Sequence, residues 1–185
     1  NTATIAGNIA TASPIGDTLP LLLSLDAKVV LKSVKKIKII PLSSFFIDYR
    51  KTKLKTGQFI DSIRIPLFPK NIFKAYKISK RFDDDISSIC ASFNVQLINK
   101  KIKNIRIAYG GMASIPKRAK YCEKILLNSH INEQVINKAK KALEQDFRPI
   151  SDMRASAKYR LIVAKNLLHK CFLEIMNKKL IRLNN

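Results

Sequence analysis

The spacing of apolar side chains in the first 68 residues predicts short strands and little helix. The stretches "AKVVLKSV" at 27–34 and "FIDSIRI" at 59–65 alternate between apolar and polar positions, as half-buried strands do. Residues 21–25 indicate a short helical turn, and "IKIIPLSSFF" enters a loop through Pro41. This half is too small and too rich in loops to form a complete domain.

A seam is predicted at "RIPLFPKN", where Pro66 and Pro69 interrupt regular structure. Beyond it, "ISSICASFNVQL" and "IKNIRIAYGGM" are rich in strand-forming residues and are separated by "INKK". This pattern predicts an antiparallel hairpin with Asn99 in its turn. The segment "FKAYKIS" predicts a third strand, and "YGGM" indicates a sharp turn or close backbone packing.

Three helices are predicted after the strands, near 118–127, 133–145 and 155–178. Asn132 is a candidate N-cap of the second helix. Apolar residues at helical spacing form one core-facing stripe on each of the last two helices: Val135, Ala139 and Leu143, then Leu161, Ala164, Leu168, Phe172 and Ile175. Strands followed by helices predict an α+β fold with helices on one face of an antiparallel sheet.

The chain carries a large positive charge. Its 185 residues include 35 Lys and Arg against 13 Asp and Glu, a formal net charge of +22. Such a charge often indicates nucleic-acid binding. Here it is spread along the chain and mostly lysine, without Trp, whereas nucleic-acid sites favour arginine forks and stacked aromatic rings. We therefore interpret it as a solvated surface and keep a basic nucleic-acid-binding module as an alternative.

Cysteine usage argues against a disulfide framework or a zinc site. Cys90, Cys122 and Cys171 lie far apart and form no CxxC pair. We expect a cytoplasmic protein, since the apolar runs are also too short to cross a bilayer. His130 and His169 lack a partner pattern for catalysis, so any chemistry would depend on a cofactor.

The opening loop concentrates hydrogen-bonding side chains. Thr4, Asn8 and Asp17 provide polar groups, while Gly7 and Gly16 leave backbone N–H groups accessible. Such a loop suits a ligand with phosphate and hydroxyl groups. A turn that satisfies its own backbone explains it equally well. The acidic run "FDDDI" at 82–86 is, from its residues alone, a solvated turn with local ion pairs.

Five stretches together resemble a known family in order and spacing: "TATIAGNIATASPIGDTLPLLLSLDAKVVL", "IPLSSFFIDYRKTKLKTGQFIDSIRIP", "YKISKRFDDDISSICASF", "IRIAYGGMASIPKRA" and "SDMRASAKYRL". They are similar to the flavin-binding portion of molybdenum-containing hydroxylases, in particular to the small, FAD-carrying subunits of bacterial xanthine dehydrogenases. The resemblance covers essentially the whole chain. Ala6 and Gln58 depart from it, at positions where the family commonly has glycine and glutamate.

The resemblance implies a two-part architecture. Residues 1–68 would be the second half of a vanillyl-alcohol-oxidase-like FAD-binding domain. Residues 70–185 would be the flavoprotein's C-terminal domain, with a three-stranded antiparallel sheet and a helical bundle. The chain would then be a C-terminal fragment, and the N-terminal half of the FAD domain, the iron-sulfur domains and the molybdopterin-binding large subunit would lie outside it.

The resemblance also implies the cofactor contacts. Thr4, Gly7, Asn8 and Asp17 would lie against FAD, Ile60 would pack beside the isoalloxazine ring, and Lys77 would reach the polar edge of the flavin. The acidic run would sit beside the flavin; its members are Asp83, Asp84 and Asp85. The family carries no catalytic or metal-ligating residue in this region.

The activity implied is that of an NAD-dependent xanthine dehydrogenase. A purine, hypoxanthine or xanthine, would be hydroxylated at molybdenum, and electrons would pass through iron-sulfur clusters and FAD to NAD. The alternative within the family is a carbon monoxide dehydrogenase or aldehyde oxidase flavoprotein. No membrane partner is implied.

Overall fold

The computed structural model describes residues 3–81 and 85–177 and divides into two halves, each with its own apolar core. The helices are α1 Ile5–Thr11, α2 Thr18–Ser24, α3 Lys120–Leu126, α4 Glu133–Asp146 and α5 Ala157–Asn177. The strands are β1 Lys28–Lys32, β2 Ile37–Pro41, β3 Phe46–Asp48, β4 Lys51–Thr52, β5 Phe59–Arg64, β6 Ile72–Ile78, β7 Ile89–Ile98, β8 Lys101–Gly110 and β9 Lys117–Arg118. Among these helices none is long and apolar enough to span a membrane.

The first half is a three-stranded antiparallel sheet in the order β2-β1-β5, packed against α1 and α2. The two strands predicted from alternation are confirmed as β1 and β5. Residues 37–41, expected to lead into a loop, instead form β2. A tight turn makes this possible, because the Ser33 backbone N–H donates to the Lys36 carbonyl at 2.9 Å and returns the chain along β1.

The second half contains an antiparallel sheet in the order β6-β7-β8-β9. The predicted hairpin is confirmed, and both turn residues, Asn99 and Lys100, have left-handed backbones with φ of 51° and 59°. Two such residues match the right-handed twist of the strands. The predicted third strand is β6, and β9 adds a two-residue edge.

Helices α3, α4 and α5 cover one face of this sheet, as predicted from the order of strands followed by helices. Asn132 caps α4, since its side-chain oxygen accepts from the Val135 backbone N–H at 2.9 Å. Buried aromatic rings join the sheet to the helices: Phe93, Tyr109 and Phe172 are each 0% exposed. The cysteine side chains are buried as well. Burial raises the pKa of the Cys90 thiol and of the Cys171 thiol to about 12.

The opposite face of the sheet is also covered, which the sequence reasoning did not predict. Helix α2, from the first half, lies on β7 and β8. Gly110 permits this approach, because a Cβ there would stand 3.1 Å from both the Pro14 carbonyl oxygen and Pro20 Cγ. The sheet is therefore enclosed between α2 and the helical bundle, and α2 belongs to both halves of the structure.

A buried chain of polar groups fixes α2 on the sheet. Asn94, 1% exposed, donates from Nδ2 to the Ser24 carbonyl at 3.0 Å and accepts from Asn71 Nδ2 at 2.8 Å. Beside it the hydroxyl oxygens of Ser24 and Ser92 are 2.6 Å apart. Because buried polar groups need these partners, sliding α2 along β7 would leave several of them unsatisfied.

We predict that Asn94→Ala lowers the free energy of unfolding by about 1–3 kcal/mol, because the Ser24 carbonyl and the Asn71 amide lose their partner. Chemical denaturation of the chain measures this. The control is Asn137→Ala on the exposed face of α4, which should change stability by less than about 0.5 kcal/mol. Equal effects of the two variants would contradict a registering role for Asn94.

Candidate functional site

The opening loop satisfies much of its own hydrogen-bonding capacity. Thr4 caps α1, its hydroxyl oxygen accepting from the Gly7 backbone N–H at 3.0 Å. The Thr18 hydroxyl donates to the side-chain oxygen of Asn8 and joins α1 to the start of α2. Gly16 fits against the same amide, since a Cβ there would stand 3.1 Å from Asn8 Oδ1. These residues therefore shape the loop, whatever else they contact.

Asp17 and Lys77 meet across the two halves. Lys77 Nζ on β6 lies 3.0 Å from Asp17 Oδ2 at the start of α2, and both side chains are partly exposed. The hydroxyl of Ser87 donates to the other oxygen of Asp17, and the Cys90 thiol donates to the Asp17 backbone carbonyl at 3.5 Å. Lys77 on β6 and Ser87 just before β7 thus hold the two oxygens of one carboxylate at the start of α2.

A cleft of about 230 Å³ opens beside this ion pair. Leu21 and Ala75 add apolar surface, and the full lining is Asp17, Thr18, Leu21, Ala75, Tyr76, Lys77 and Cys90. A cation next to an apolar wall suits the polar edge of a flavin ring. Ligand pockets commonly measure about 300–1,000 Å³, so this cleft has room for only a part of a large cofactor.

Ile60 lies in a different part of the first half. It is half-buried on β5, opposite Leu31 of β1, and packs against the first core. Helix α1 contacts the strand that carries Ile60, and both belong to the first half. It is not among the residues that line the cleft at Lys77. Of the six predicted cofactor contacts, the structure brings Asp17 and Lys77 together. Thr4, Gly7 and Asn8 lie at the start of the chain around α1, and Ile60 lies on β5.

Of the acidic run, only Asp85 is described; Asp83 and Asp84 lie outside the described residues. Asp85 accepts from the Arg81 backbone N–H at 2.9 Å and from the Arg81 guanidinium at 3.3 Å. The backbone hydrogen bond, followed by the side-chain one, lowers the pKa of the Asp85 carboxyl. This agrees with a local ion pair, and a position beside the flavin stays a prediction.

The two histidines have structural surroundings. His130 is exposed and bridges Lys101 in an isolated β-bridge. His169 on α5 lies 3.3 Å from a carboxylate oxygen of Glu133 on α4. Neither lies among the residues that line the cleft at Lys77.

A buried arginine, missed from the sequence, supports the region next to the cleft. Arg160 on α5 is 1% exposed and donates from Nη1 to the carbonyls of Ser88 and Gly111, the latter at 2.9 Å. Its Nη2 donates to Asp152 Oδ1 at 2.8 Å. Two sequence signals point to it: an arginine that interrupts the apolar face of α5, and its place with Asp152 in the stretch "SDMRASAKYRL". Arg160 therefore joins the starts of β7 and α5 to the end of β8.

Gly111 leaves room for this guanidinium. Its φ is +80°, and a Cβ there would stand 2.3 Å from the Ser88 carbonyl oxygen and 2.8 Å from Arg160 Nη1. The two glycines of "YGGM" thus serve both predicted purposes, Gly110 for close packing and Gly111 for a turn.

Comparisons with known proteins define the class. Residues 1–68 match the family described as the FAD binding domain in molybdopterin dehydrogenase. Residues 74–175 match the CO dehydrogenase flavoprotein C-terminal domain. Fold and matches together define a flavoprotein. The chain belongs to the flavoprotein family of the molybdopterin dehydrogenases.

Individual relatives agree with this assignment. The chain is 32% identical to a xanthine dehydrogenase of Emericella nidulans over 96% of its length, which is 13% of that protein. It is 36% identical to a nicotinate hydroxylase of the same organism, over 97% of this chain and 14% of the relative. The xanthine dehydrogenase FAD-binding subunit of Escherichia coli is 27% identical, over 94% of this chain and 60% of that subunit.

A solved structure shows the same fold. Carbon monoxide dehydrogenase from Hydrogenophaga pseudoflava superimposes with a TM-score of 0.85 at 24% identity, over 90% of this chain and 58% of that one. The chain thus spans under two thirds of the relatives it matches.

We predict that Gly111→Ala destabilises the chain by at least about 2 kcal/mol, because a Cβ combines left-handed backbone strain with the overlap on Ser88 and Arg160. Gly57→Ala is the matched control, since Gly57 has φ of +76° with nothing within 4 Å of its Cβ position. The control should cost only about 1–2 kcal/mol, for backbone strain alone. Unfolding free energies that are equal for the two variants would contradict the close packing at Gly111.

We predict that the Asp152 contribution to stability is lost in acid. Partial burial opposes ionisation of this carboxyl, but hydrogen bonds from the Arg154 and Ala155 backbone N–H groups and the Arg160 guanidinium outweigh it and lower the pKa of Asp152. A lowered folded-state pKa means that the contribution is complete above the unfolded value of about 3.9 and declines as pH falls through the folded one. Wild type should therefore exceed Asp152→Asn in unfolding free energy at pH 7, with the difference shrinking below about pH 4. A constant difference would contradict the ionised pair.

Proposed function

We propose that this chain forms the FAD-contacting and C-terminal parts of the flavoprotein of a molybdenum hydroxylase, acting between iron-sulfur clusters and an external electron acceptor. One observation carries the proposal: the Asp17–Lys77 ion pair joins the region that matches the FAD-binding family to the region that matches the C-terminal flavoprotein domain. Residues 1–68 would complete the FAD domain, and residues 70–185 would close over one edge of the flavin.

The chain's residues divide the work of holding the cofactor. FAD, when bound, supplies the acceptor for electrons and the donor of a hydride. Lys77 places its ammonium at the polar edge, where a positive charge favours an electron-rich ring. Ile60 offers an apolar surface to the ring. Asp17 would lie against FAD beside Lys77, and Thr4, Gly7 and Asn8 would contact the remainder of the cofactor.

The acidic run at residues 83–85 would place negative charge near the polar edge of the flavin. Asp85 is fixed by Arg81 at one end of the run. We propose that Asp83, Asp84 and Asp85 lie beside the flavin, where their charge influences access of the acceptor.

The proposed reaction is purine hydroxylation, with NAD as the acceptor and the cytoplasm as its place. Support comes from the repeated similarity to xanthine dehydrogenases and from the "KISKRFDDDIS" run. The proposed partners are the N-terminal half of the FAD domain, the iron-sulfur domains and the molybdopterin-binding large subunit. Purine chemistry would take place at molybdenum, outside this chain.

The substrate is tested with the complete complex. We expect steady-state hydroxylation of hypoxanthine and xanthine with formation of NADH. Activity on nicotinate or carbon monoxide in the absence of xanthine activity would replace the purine proposal and keep the flavoprotein role.

Lys77→Ala in the complete complex should slow reduction of NAD by about tenfold or more, since one charge-assisted contact to the electron-rich ring is lost. Purine hydroxylation measured with an artificial acceptor that bypasses the flavin should be unchanged. The comparison uses Lys80→Ala as control, because Lys80 Nζ donates to the Met153 carbonyl away from the cleft. Equal loss of both activities in Lys77→Ala would rule out a role at the flavin edge.

The isolated chain should bind FAD weakly, with a Kd above about 10 μM, because its cleft encloses only a part of the cofactor. Fluorescence titration of FAD measures this. A sub-micromolar Kd would contradict the requirement for the other half of the FAD domain.

A further inference from the structure

We propose that Ser87 is a positioning residue for the ion pair at the cleft: its hydroxyl holds one carboxylate oxygen of Asp17, so that the other oxygen remains on Lys77. The relevance of this to flavin binding rests on the function proposed above. The hydrogen bond itself and its effect on the ion pair do not depend on that proposed function.

The ion pair needs a third member to have a fixed geometry. The side chains of Lys77 and Asp17 are 37% and 41% exposed, and ion pairs with such exposure are weak and adopt many geometries. Ser87 differs from both because it is only 1% exposed. Its hydroxyl donates to Asp17 Oδ1, while Lys77 Nζ lies 3.0 Å from Asp17 Oδ2. The carboxylate is therefore held from its buried side and presents one oxygen to the lysine.

Ser87 is itself held in place by the residue that follows it. The Ser88 backbone N–H donates to the Ile78 carbonyl at 2.8 Å, and the Ser88 carbonyl accepts from buried Arg160 Nη1. The chain at this point is thus attached to β6 on one side and to α5 on the other. A serine on such a rigid segment can orient a partly exposed carboxylate, because little further motion is lost when the bond forms.

Ser87 also lies two residues after Asp85 and ends the segment that carries the acidic run. Its bond to Asp17 fastens that end of the segment to the start of α2. The same hydroxyl therefore fixes one oxygen of the Asp17 carboxylate and attaches the segment that leads into β7 to the start of α2.

The first test uses FAD affinity in the complete FAD-carrying subunit, measured by fluorescence titration. Ser87→Ala should raise the Kd about 3- to 10-fold, the loss expected for one hydrogen bond. Ser88→Ala is the matched control: it is equally buried, but its hydroxyl makes only a long contact of 3.4 Å to the Arg154 carbonyl, so its Kd should stay within about twofold of wild type.

Lys77→Ala serves as the reference for the site. If Lys77→Ala raises the Kd for FAD but Ser87→Ala leaves it unchanged, the positioning role is overturned and the proposed function is kept. If Lys77→Ala leaves the Kd for FAD unchanged, the proposed flavin contact of Lys77 is overturned. The positioning role of Ser87 is then decided by the unfolding of the chain without FAD.

The second test is a double-mutant cycle on the unfolding of the chain without FAD. If Ser87 acts through the carboxylate, Ser87→Ala should have at least a threefold smaller effect on the unfolding equilibrium constant in an Asp17→Ala background, which removes the acceptor, than in wild type. A purely structural serine would give the same effect in both backgrounds, and this additivity would overturn the proposal.

Discussion

The structure depends on one packing constraint, the enclosure of α2 between the core of the first half and the second face of the β6-β7-β8-β9 sheet. Leu19 and Leu23 bury themselves in the first core, while Ser24 bonds to the sheet through Ser92 and Asn94. Gly110 lets the helix approach closely. Because α2 belongs to both halves, the start of α2 is brought against β6, and Asp17 meets Lys77.

This constraint also explains the burial of β7. Residues 89–95 are buried without interruption, since Phe93 and its alternate neighbours face the helical bundle while Cys90, Ser92 and Asn94 face α2. The polar side chains of the second face are paired with groups of α2. Polarity at these positions therefore indicates an interface with a polar partner rather than a solvent-exposed face.

Sequence patterns predicted the local structure because alternation, capping and turn chemistry are local properties. Asn99 and Asn132 took the roles expected of them, in a hairpin turn and as a helix cap. The strand at 37–41 was missed, since its identity depends on pairing with β1 rather than on its own pattern. The second cover of the sheet was also missed, because packing of α2 joins residues that are distant in the chain.

The residues of the candidate site also fall into those expected from the sequence and those recognised only in the structure. Family resemblance gave Asp17 and Lys77, and their 3.0 Å contact is consistent with that assignment. Ser87 and Arg160 both lie in stretches that carry the family resemblance, but the sequence assigned neither of them a role. The folded arrangement reveals that they support the carboxylate and the neighbouring backbone. Thr4 and Asn8, expected at the cofactor, have hydrogen bonds to Gly7 and Thr18, so these two side chains hold the opening segment in shape.

The central claim is that the ion pair between the two halves forms the edge of a flavin site. An experimental structure of the complete FAD-carrying subunit tests it most directly, through the distance from Lys77 Nζ to the nearest oxygen or nitrogen of the isoalloxazine ring. The account predicts hydrogen-bond contact, at about 2.7–3.2 Å. A separation beyond about 6 Å, with Lys77 still bound to Asp17, would contradict it.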